Sequence, residues 1–250
     1  MFEQRRAAMS PTDAKPHILG LGVACLDYLF LAPRAAPGEQ AVLRDHLIEG
    51  GGLAATALVA AARLGASAEL WTWVGDDPEG ESVLAGLRRE GVNVSAAEVI
   101  SGARTPVSFI HVEEGTGERT IFHAGRLDPP RSSIAALAQR NLPCDVLLMD
   151  ATWPEASRLV ATQARQQELP VVGDLCPVGA HADLASLATA IIVPGSCAER
   201  LAPEASWEDR LRSLARTGAS FVAVTAGAEG CYYLDPGTNS LTSLPSPSPW

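Results

Sequence analysis

The amino-acid sequence predicts an α/β fold: a doubly wound, mostly parallel sheet with helices on both faces and a small β lid beside it. Short apolar runs of strand length alternate with amphipathic segments of helix length along most of the chain. This alternation is typical of parallel strands that are joined by crossover helices. A hairpin signal at Glu114-Gly115-Thr116-Gly117 interrupts the alternation and predicts an insertion beside the main sheet.

The first half of the chain opens on a predicted buried strand, because His17 to Leu21 is an apolar run that ends among glycines. The Ala-rich segment Leu53 to Leu64 follows three glycines and ends at Gly65, as helices commonly do. We predict helices at 53–64 and 78–90, an edge segment at 92–99, and strands at 17–21, 28–31, 43–48, 68–74, 107–112 and 119–122.

The second half of the chain repeats the pattern of a short apolar run followed by an amphipathic segment. We predict strands at 146–149, 171–172, 191–193, 221–224 and 231–234, and helices at 134–139, 156–167, 184–187 and 207–216. The tail from Ser243 to Trp250 is low in complexity, and the chain shows no internal repeat.

The composition fits one domain at residues 17–250, preceded by an arm at 1–16 that we expect to be disordered. A chain of 250 residues that is 47% hydrophobic and 19% charged has the balance of an ordinary globular protein. The apolar stretch of the arm is too short for a secretory signal, and no apolar run is long enough to span a membrane. The five cysteines are odd in number and scattered, which fits a reducing compartment, and we therefore expect a cytoplasmic protein.

The charged and sulfur-containing residues exclude several function classes. A net charge of −10 opposes binding to nucleic acid. The only lysine is Lys15, so the folded body lacks the lysine of a Walker A loop and of a Schiff-base enzyme. Five cysteines without a Cys-x-x-Cys pair argue against a disulfide framework and a zinc knuckle, and they lie far apart in the sequence, at Cys25, Cys144, Cys176, Cys197 and Cys231.

Asp27 and the glycine run Gly50-Gly51-Gly52 are candidate ligand-binding residues. A carboxylate between two apolar runs must be solvated or paired, and it can accept hydrogen bonds from the hydroxyls of a polyol. Three glycines before a helix expose backbone N–H groups at the positive end of the helix dipole, although they could equally form a plain hinge. Thr56 projects a hydroxyl from the first turn of the same helix.

Two further glycine patterns lie at predicted strand ends. Gly20-x-Gly22-x-x-Cys25 is an incomplete dinucleotide fingerprint, and the run that follows it is strand-like, so it gives little support for an NAD(P)-dependent oxidoreductase. Thr225-x-Gly227-x-x-Gly230 follows an apolar strand directly, at the edge where α/β sheets bind ligands. The alternative for the second pattern is a plain turn into the next strand.

Taken together, the motifs resemble those of the ribokinase-like (PfkB) carbohydrate kinases, in the same order and spacing from about His17 to Leu234. The matching segments are Gly22-x-x-x-x-Asp27, Pro37-Gly38-Glu39, Gly51-Gly52 with Ala57 and Ala61-Ala62-Arg63-Leu64-Gly65, Val74-Gly75-Asp76-Asp77-x-x-Gly80, Gly91-Val92, Gly117-Glu118-Arg119 and Thr225-x-Gly227-x-x-Gly230.

The resemblance implies ATP- and Mg²⁺-dependent phosphorylation of a sugar hydroxyl beneath a β lid formed by insertions at 28–48 and 105–122. It implies substrate contacts at Asp27, Gly51, Gly52, Thr56, His123 and Thr152, and nucleotide contacts at Thr225, Gly227 and Gly230; metal ligands are left unassigned. Lids of this family often pair across a two-fold axis. A homodimer through Phe30, Phe109 and Ile110 is therefore expected, unless these residues pack on their own domain.

Three departures from the family pattern bear on the substrate and on catalysis. Thr56 replaces an Asn, as in the sulfosugar kinases, but the positions that would hold a sulfonate correspond to Gln40, His123 and Thr152 and carry little positive charge. The family's Asn-x-x-Glu motif is replaced by the segment from Pro194 to Ala198, with Glu199 one position late.

The third departure concerns the catalytic base. The family carries it in a Gly-Ala-Gly-Asp string, which is absent from these 250 residues. We expect either a C-terminally truncated kinase or a member that has lost this segment. The predicted function is phosphorylation of a neutral sugar or polyol, very weak or absent in this chain, and the alternative is a catalytically silent sugar- or nucleotide-binding module.

Overall fold

A computed structural model describes residues 15–36, 38–177 and 181–246 of the chain. Most of the arm predicted to be disordered, and the last four residues of the low-complexity tail, lie outside the described residues. Within the described part the strands are β1 His17–Leu21, β2 Cys25–Ala32, β3 Asp45–Gly51, β4 Ser67–Trp71, β5 Trp73–Gly75, β6 Val92–Asn93, β7 Glu98–Ile100, β8 Val107–Glu113, β9 Arg119–Ala124, β10 Val146–Asp150, β11 Val171–Asp174, β12 Ala190–Pro194, β13 Phe221–Thr225, β14 Cys231–Leu234 and β15 Leu241–Leu244.

The helices alternate with these strands as the sequence pattern predicts. They are α1 Leu53–Arg63, α2 Pro78–Arg89, α3 Arg131–Leu137, α4 Pro154–Gln166, α5 Ala182–Ala185, α6 Gly195–Leu201 and α7 Trp207–Ala215. Asp77 caps α2 by accepting a hydrogen bond from Gly80 N, and Ser206 caps α7 by accepting one from Asp209 N.

The main sheet is mostly parallel and confirms the predicted fold class. Its nine strands among the described residues run in the order β15-β14-β13-β12-β11-β10-β1-β4-β6, and β14 and β15 are antiparallel. Helices α1 and α2 pack on one face, where Leu58 and Leu70 are fully buried. The other helices cover the opposite face around residues such as Leu147 and Leu211, so both faces carry a hydrophobic core.

A separate four-stranded sheet forms the lid, in the order β3-β2-β8-β9. Its strands extend three residues beyond the first predicted insertion, 28–48, at both ends, and two residues beyond the second, 105–122, at its carboxyl end only. Cross-strand pairing gives it two distinct faces, since side chains alternate along every strand. Asp27, Ser108 and His123 form one row on the inner face, whereas Tyr28, Phe109 and Phe122 form the adjacent row on the outer face.

Several predicted elements are divided or were missed. The strand predicted at 68–74 is two strands, because the chain leaves the main sheet at Thr72 and β5 pairs with β7 instead of a main-sheet strand. The segments α6 and β15 were not predicted. Helix α6 starts directly after a proline and a glycine, and burial of Cys197 and Ala198 against the core stabilises it. Strand β15 has four residues and lies next to the Ser- and Pro-rich tail.

Two expectations from the sequence are wrong. Cys176 and Cys197 form a disulfide with a Cα–Cα distance of 5.8 Å, because the parallel pairing of β11 with β12 brings their following segments together. Ile110 cannot contribute to a lid surface, since it is 8% exposed and faces inward. In the described part of the chain, no helix has the length and apolar character needed to cross a membrane.

Candidate active site

The first candidate site is a cavity of about 830 Å³ between the inner face of the lid and the carboxyl ends of β1, β10 and β11. It brings together five of the six predicted substrate residues, which are Asp27, Gly52, Thr56, His123 and Thr152. We call it the sugar cavity, after the ligand that the sequence predicts.

Asp27 lies at the centre of a polar row on the lid. Its partners across β2 and β8 are Ser108 and, one strand further, His123, and all three side chains line the sugar cavity. Ser108 Oγ and His123 Nδ1 are 3.3 Å apart, and Cys25 Sγ donates to Asp27 Oδ1 at 3.4 Å. Burial, and then the charge of Asp27, raises the pKa of Cys25 to about 12, so this thiol is neutral at pH 7.

Gly51 and Gly52 bring the lid strand β3 into the first turn of α1. Gly52 is the N-cap residue with a φ of 103°, in the left-handed region, and a Cβ at this position would overlap the backbone oxygen of Val23. The N-cap residue supplies no side-chain cap to α1, and Gly52 and Leu53 line the sugar cavity, which therefore faces the positive end of this 11-residue helix. Gly51 does not line this cavity; it packs against the carboxylate of Asp27 instead.

A buried carboxylate, Asp150, joins three of these elements. Its Oδ2 accepts from Val23 N at 2.9 Å, its Oδ1 accepts from Thr152 N at 2.8 Å, and it also accepts from the backbone N–H of Ala54. Burial raises the pKa of Asp150, and these three donors oppose the increase. Asp150 thus fixes the turn before β2, the start of α1 and the loop that carries Thr152.

The charges of the sugar cavity are mainly carboxylates. Asp27, Asp128 and Asp174 line it, and the one arginine among its described lining residues, Arg126, donates to Asp128 at 2.8 Å. Gln40 does not line it. Burial, and then the charge of Asp150 on the neighbouring strand, raises the pKa of Asp174 above its ordinary value.

The second candidate site is a cavity of about 630 Å³ at the carboxyl ends of β12 and β13, which we call the nucleotide cavity. All three predicted nucleotide residues line it: Thr225, Gly227 and Gly230. The backbone at Gly227 is open to the cavity, whereas Gly230, with a φ of 93°, packs against the backbone oxygen of Leu244 and is required by the fold itself.

Polar and aromatic side chains complete the nucleotide cavity. Glu229 accepts hydrogen bonds from Trp207 Nε1 and Tyr232 OH, and the two rings stack with centroids 5.1 Å apart. Glu199 in α6 also lines the cavity, and Arg119 is the only basic residue in the described lining. Arg119 forms no ion pair within the described residues, so its charge is available to an anionic ligand.

Strand β9 of the lid connects the two cavities. Arg119, Ile121 and His123 alternate onto the same face of this strand, and the first lines the nucleotide cavity while the other two line the sugar cavity. Sequence reasoning did not assign Arg119, Ser108, Asp150 or Asp174 to a site. The Gly117-Glu118-Arg119 motif was a sequence signal for Arg119. The other three positions had no such signal, because their place in the site depends on how the strands pair.

The incomplete dinucleotide fingerprint has a packing role. A Cβ on Gly22 would overlap the carboxylate of Asp150, and one on Gly20 would lie against Leu58 of α1. The turn leads directly into strand β2, whereas a dinucleotide-binding motif leads directly into a helix. The geometry gives no support to an NAD(P) site here.

Comparisons with known proteins agree with this architecture. The chain is 30% identical over 201 residues to the ribokinase of Schizosaccharomyces pombe, and the aligned part covers 73% of this chain and 62% of that protein. The chain therefore spans less than two thirds of that relative's length.

Solved structures with the same fold cover nearly all of the chain. A proposed ribokinase from Agrobacterium tumefaciens matches with a TM-score of 0.79 at 30% identity, over 94% of this chain and 78% of that one. The Arabidopsis thaliana ribokinase complexed with ribose and ATP matches with a TM-score of 0.71 at 16% identity, over 93% and 78%. The model of the pfkB family of carbohydrate kinases matches residues 25–248, and the chain belongs to that family.

Proposed function

We propose that this chain binds a neutral sugar or polyol in the sugar cavity and ATP in the nucleotide cavity, as the two binding sites of an ATP-dependent carbohydrate kinase. The observation that carries this proposal is the shared strand β9, whose inner face reaches one cavity with His123 and the other with Arg119. A kinase must hold both substrates side by side for transfer, and the structural relative from Arabidopsis is complexed with ribose and ATP.

The charges of the sugar cavity support a neutral substrate. Three carboxylates face one arginine that is already paired, so an anionic group would gain little attraction there. Carboxylates such as Asp27 accept hydrogen bonds from sugar hydroxyls, and the positive end of α1, where Gly52 and Leu53 line the cavity, favours hydroxyl oxygens. We therefore expect a polyol to bind more tightly than a sugar phosphate or sulfosugar.

The nucleotide cavity fits a magnesium-bound triphosphate better than a free one. Arg119 can pair with phosphate oxygens, whereas Glu199 would repel them unless a cation lay between. No cluster of three metal-binding side chains exists among the described residues. Mg²⁺ is commonly held by one or two carboxylates together with substrate phosphates, so Glu199 is the residue that fits it. The ion would neutralise phosphate charge there.

We expect a protein made of these residues to transfer phosphate at a trace rate at most. The 250 residues carry no Gly-Ala-Gly-Asp string, and losing a general base typically costs about 10²- to 10⁴-fold in rate. The absence of that string favours the second candidate function, a binding module that holds sugar and nucleotide without turnover. Because ATP is a cytoplasmic substrate, we also propose a cytoplasmic location, and we propose a homodimer through the lid.

Calorimetry with a panel of neutral sugars, polyols and sugar phosphates, and with a non-hydrolysable ATP analogue, tests the proposal. Neutral sugar and analogue should both bind, and Asp27→Asn should lose the sugar while keeping the analogue. Asp45→Asn, an exposed lid carboxylate, is the matched control. A coupled assay for ADP then separates a kinase from a silent module. If neither ligand binds, or if NADH binds in their place, the proposal fails.

A further inference from the structure

The disulfide between Cys176 and Cys197 ties together the walls of the two cavities. Cys176 follows β11 by two residues, and Asp174 at the end of that strand lines the sugar cavity. Cys197 lies in α6, and both Ser196 and Glu199 in the same helix line the nucleotide cavity. A covalent bond between these segments therefore affects the geometry of both sites.

The two sulfur atoms differ in accessibility and in surroundings. Cys197 is fully buried, whereas Cys176 is partly exposed. The guanidinium of Arg200 is 3.7 Å from Cys176 Sγ. A nearby positive charge stabilises a thiolate, and thiolates are the reactive form in disulfide exchange. Cys176 is therefore both the sulfur that an external thiol can reach and the one whose thiolate the protein stabilises.

We infer that Cys176 and Cys197 form a reversible exchange site for small thiols and disulfides of the glutathione class, and that closing the bond orders α6 beside the nucleotide cavity. The effect on ATP binding rests on the proposed function. The exchange site and the ordering of α6 stand without it.

The chemistry proceeds by two thiol–disulfide exchanges in each direction. During reduction, an external thiolate attacks Cys176 Sγ, a mixed disulfide forms, and Cys197 leaves as a thiolate that takes a proton. A second external thiolate attacks the external sulfur of the mixed disulfide, releasing the oxidised small disulfide and the Cys176 thiolate beside Arg200. During oxidation, the Cys176 thiolate attacks the small disulfide, and Cys197 then displaces the bound thiol.

The disulfide contributes strongly to the order of α6, because this helix is short. The helix has seven residues and no side-chain cap at its N-terminus. Without the crosslink the first turn of α6 is held by packing, mainly of its two buried side chains Cys197 and Ala198, and by no covalent bond to β11. A less ordered wall must be ordered again when a nucleotide binds, so affinity should fall by about threefold or more.

Two measurements on the 250-residue protein test the exchange site itself. After equilibration with glutathione disulfide, denaturation and alkylation with N-ethylmaleimide should label the three free cysteines, and prior reduction should label all five. Hydrogen exchange of the peptide that spans 194–201 should be faster in the reduced protein. Five labelled thiols under oxidising conditions, or identical exchange of that peptide in both states, would overturn the inference.

A third measurement separates this inference from the proposed function. The oxidised protein should bind the ATP analogue more tightly than the reduced protein, and the double variant Cys176→Ser with Cys197→Ser should behave as the reduced form under both conditions. Cys144→Ser, at a free and partly buried cysteine that lines neither cavity, should respond to redox state like the unmodified protein. Absence of ATP binding in every state contradicts the nucleotide site, whereas equal binding in both states contradicts its control by the disulfide.

Discussion

The backbone of Gly51 lies directly against the carboxylate of Asp27, so closely that a Cβ on Gly51 would overlap both carboxylate oxygens. Pairing of β2 with β3 produces this contact, because Cys25 is opposite Gly51 and Asp27 is opposite Glu49. The neighbouring Gly50 has open space where its Cβ would be. Gly50 and Gly51 are adjacent in β3, and they differ in whether an added methyl group would displace the Asp27 carboxylate.

Gly51→Ala should weaken sugar binding, because the new methyl group displaces the Asp27 carboxylate from the position that the fold gives it. Loss of a hydrogen bond to a charged group should reduce affinity by roughly tenfold to a hundredfold. Gly50→Ala is the matched control and should bind sugar normally. Calorimetry with the best sugar of the panel measures both variants, and the ATP analogue reports on the intact nucleotide cavity. Equal sugar affinity in the two variants would show that the position of the Asp27 carboxylate does not affect sugar binding.

Arg119→Gln should weaken the ATP analogue by roughly tenfold, because the nucleotide cavity loses the only cation of its described lining. Sugar binding should stay unchanged, since Arg119 does not line the sugar cavity. Arg44→Gln removes another lid arginine, one paired with Glu114 on the surface, and should change neither affinity. Fluorescence titration of each variant decides the matter, and a loss of sugar binding in Arg119→Gln would indicate a structural role instead.

Elements of the main sheet could be predicted from the sequence because each is encoded by a local apolar run with its own ending signal. The helix Leu53 to Leu64 is predicted within one residue of α1, since Gly65 marks its end. The predicted strand 68–74 failed at Thr72, where a change of partner strand leaves no local signal. A helix or strand can thus be predicted from the sequence where its own residues determine its limits, and not where a change of pairing partner does.

The sequence did not predict the site residues whose position depends on contacts between strands that are far apart in the chain. Asp27 and Thr56 were visible because a lone carboxylate and a glycine-rich helix start are local features. Asp150 reads as the last residue of an apolar strand, and nothing near it in sequence indicates its bonds to Val23 and Ala54. The pairing of Cys176 with Cys197 likewise depends on β11 and β12 being neighbours.

The pH dependence of stability should reflect Asp174. Burial and the charge of Asp150 raise its pKa in the folded protein, so the folded state keeps a proton that the unfolded state has already lost. This contribution to stability is lost as the pH rises from the ordinary pKa of the carboxyl, 3.8, through its raised pKa. Asp174→Asn should therefore gain melting temperature relative to the unmodified protein as the pH rises across that window.

Asp128→Asn is the control for this pH effect, because Asp128 lines the same cavity but is exposed and paired with Arg126. Its melting temperature should follow that of the unmodified protein at every pH, apart from the small contribution of a surface ion pair. Melting curves recorded between roughly pH 4 and pH 8 test this prediction, because folded proteins are most stable in about this range. A difference in melting temperature between Asp174→Asn and the unmodified protein that stays constant with pH would exclude Asp174 as the source of the pH dependence.

The outer face of the lid should form the contact of a homodimer. Phe109 is 43% exposed and Phe122 is 58% exposed, and they are cross-strand neighbours in one row with Tyr28. Exposed apolar rows of this kind are typical of association surfaces. Phe122→Glu should convert the dimer to a monomer in light scattering, whereas Leu64→Glu, at a 90% exposed leucine outside the lid, should leave it dimeric. A monomer for the unmodified protein across a wide concentration range would contradict the prediction.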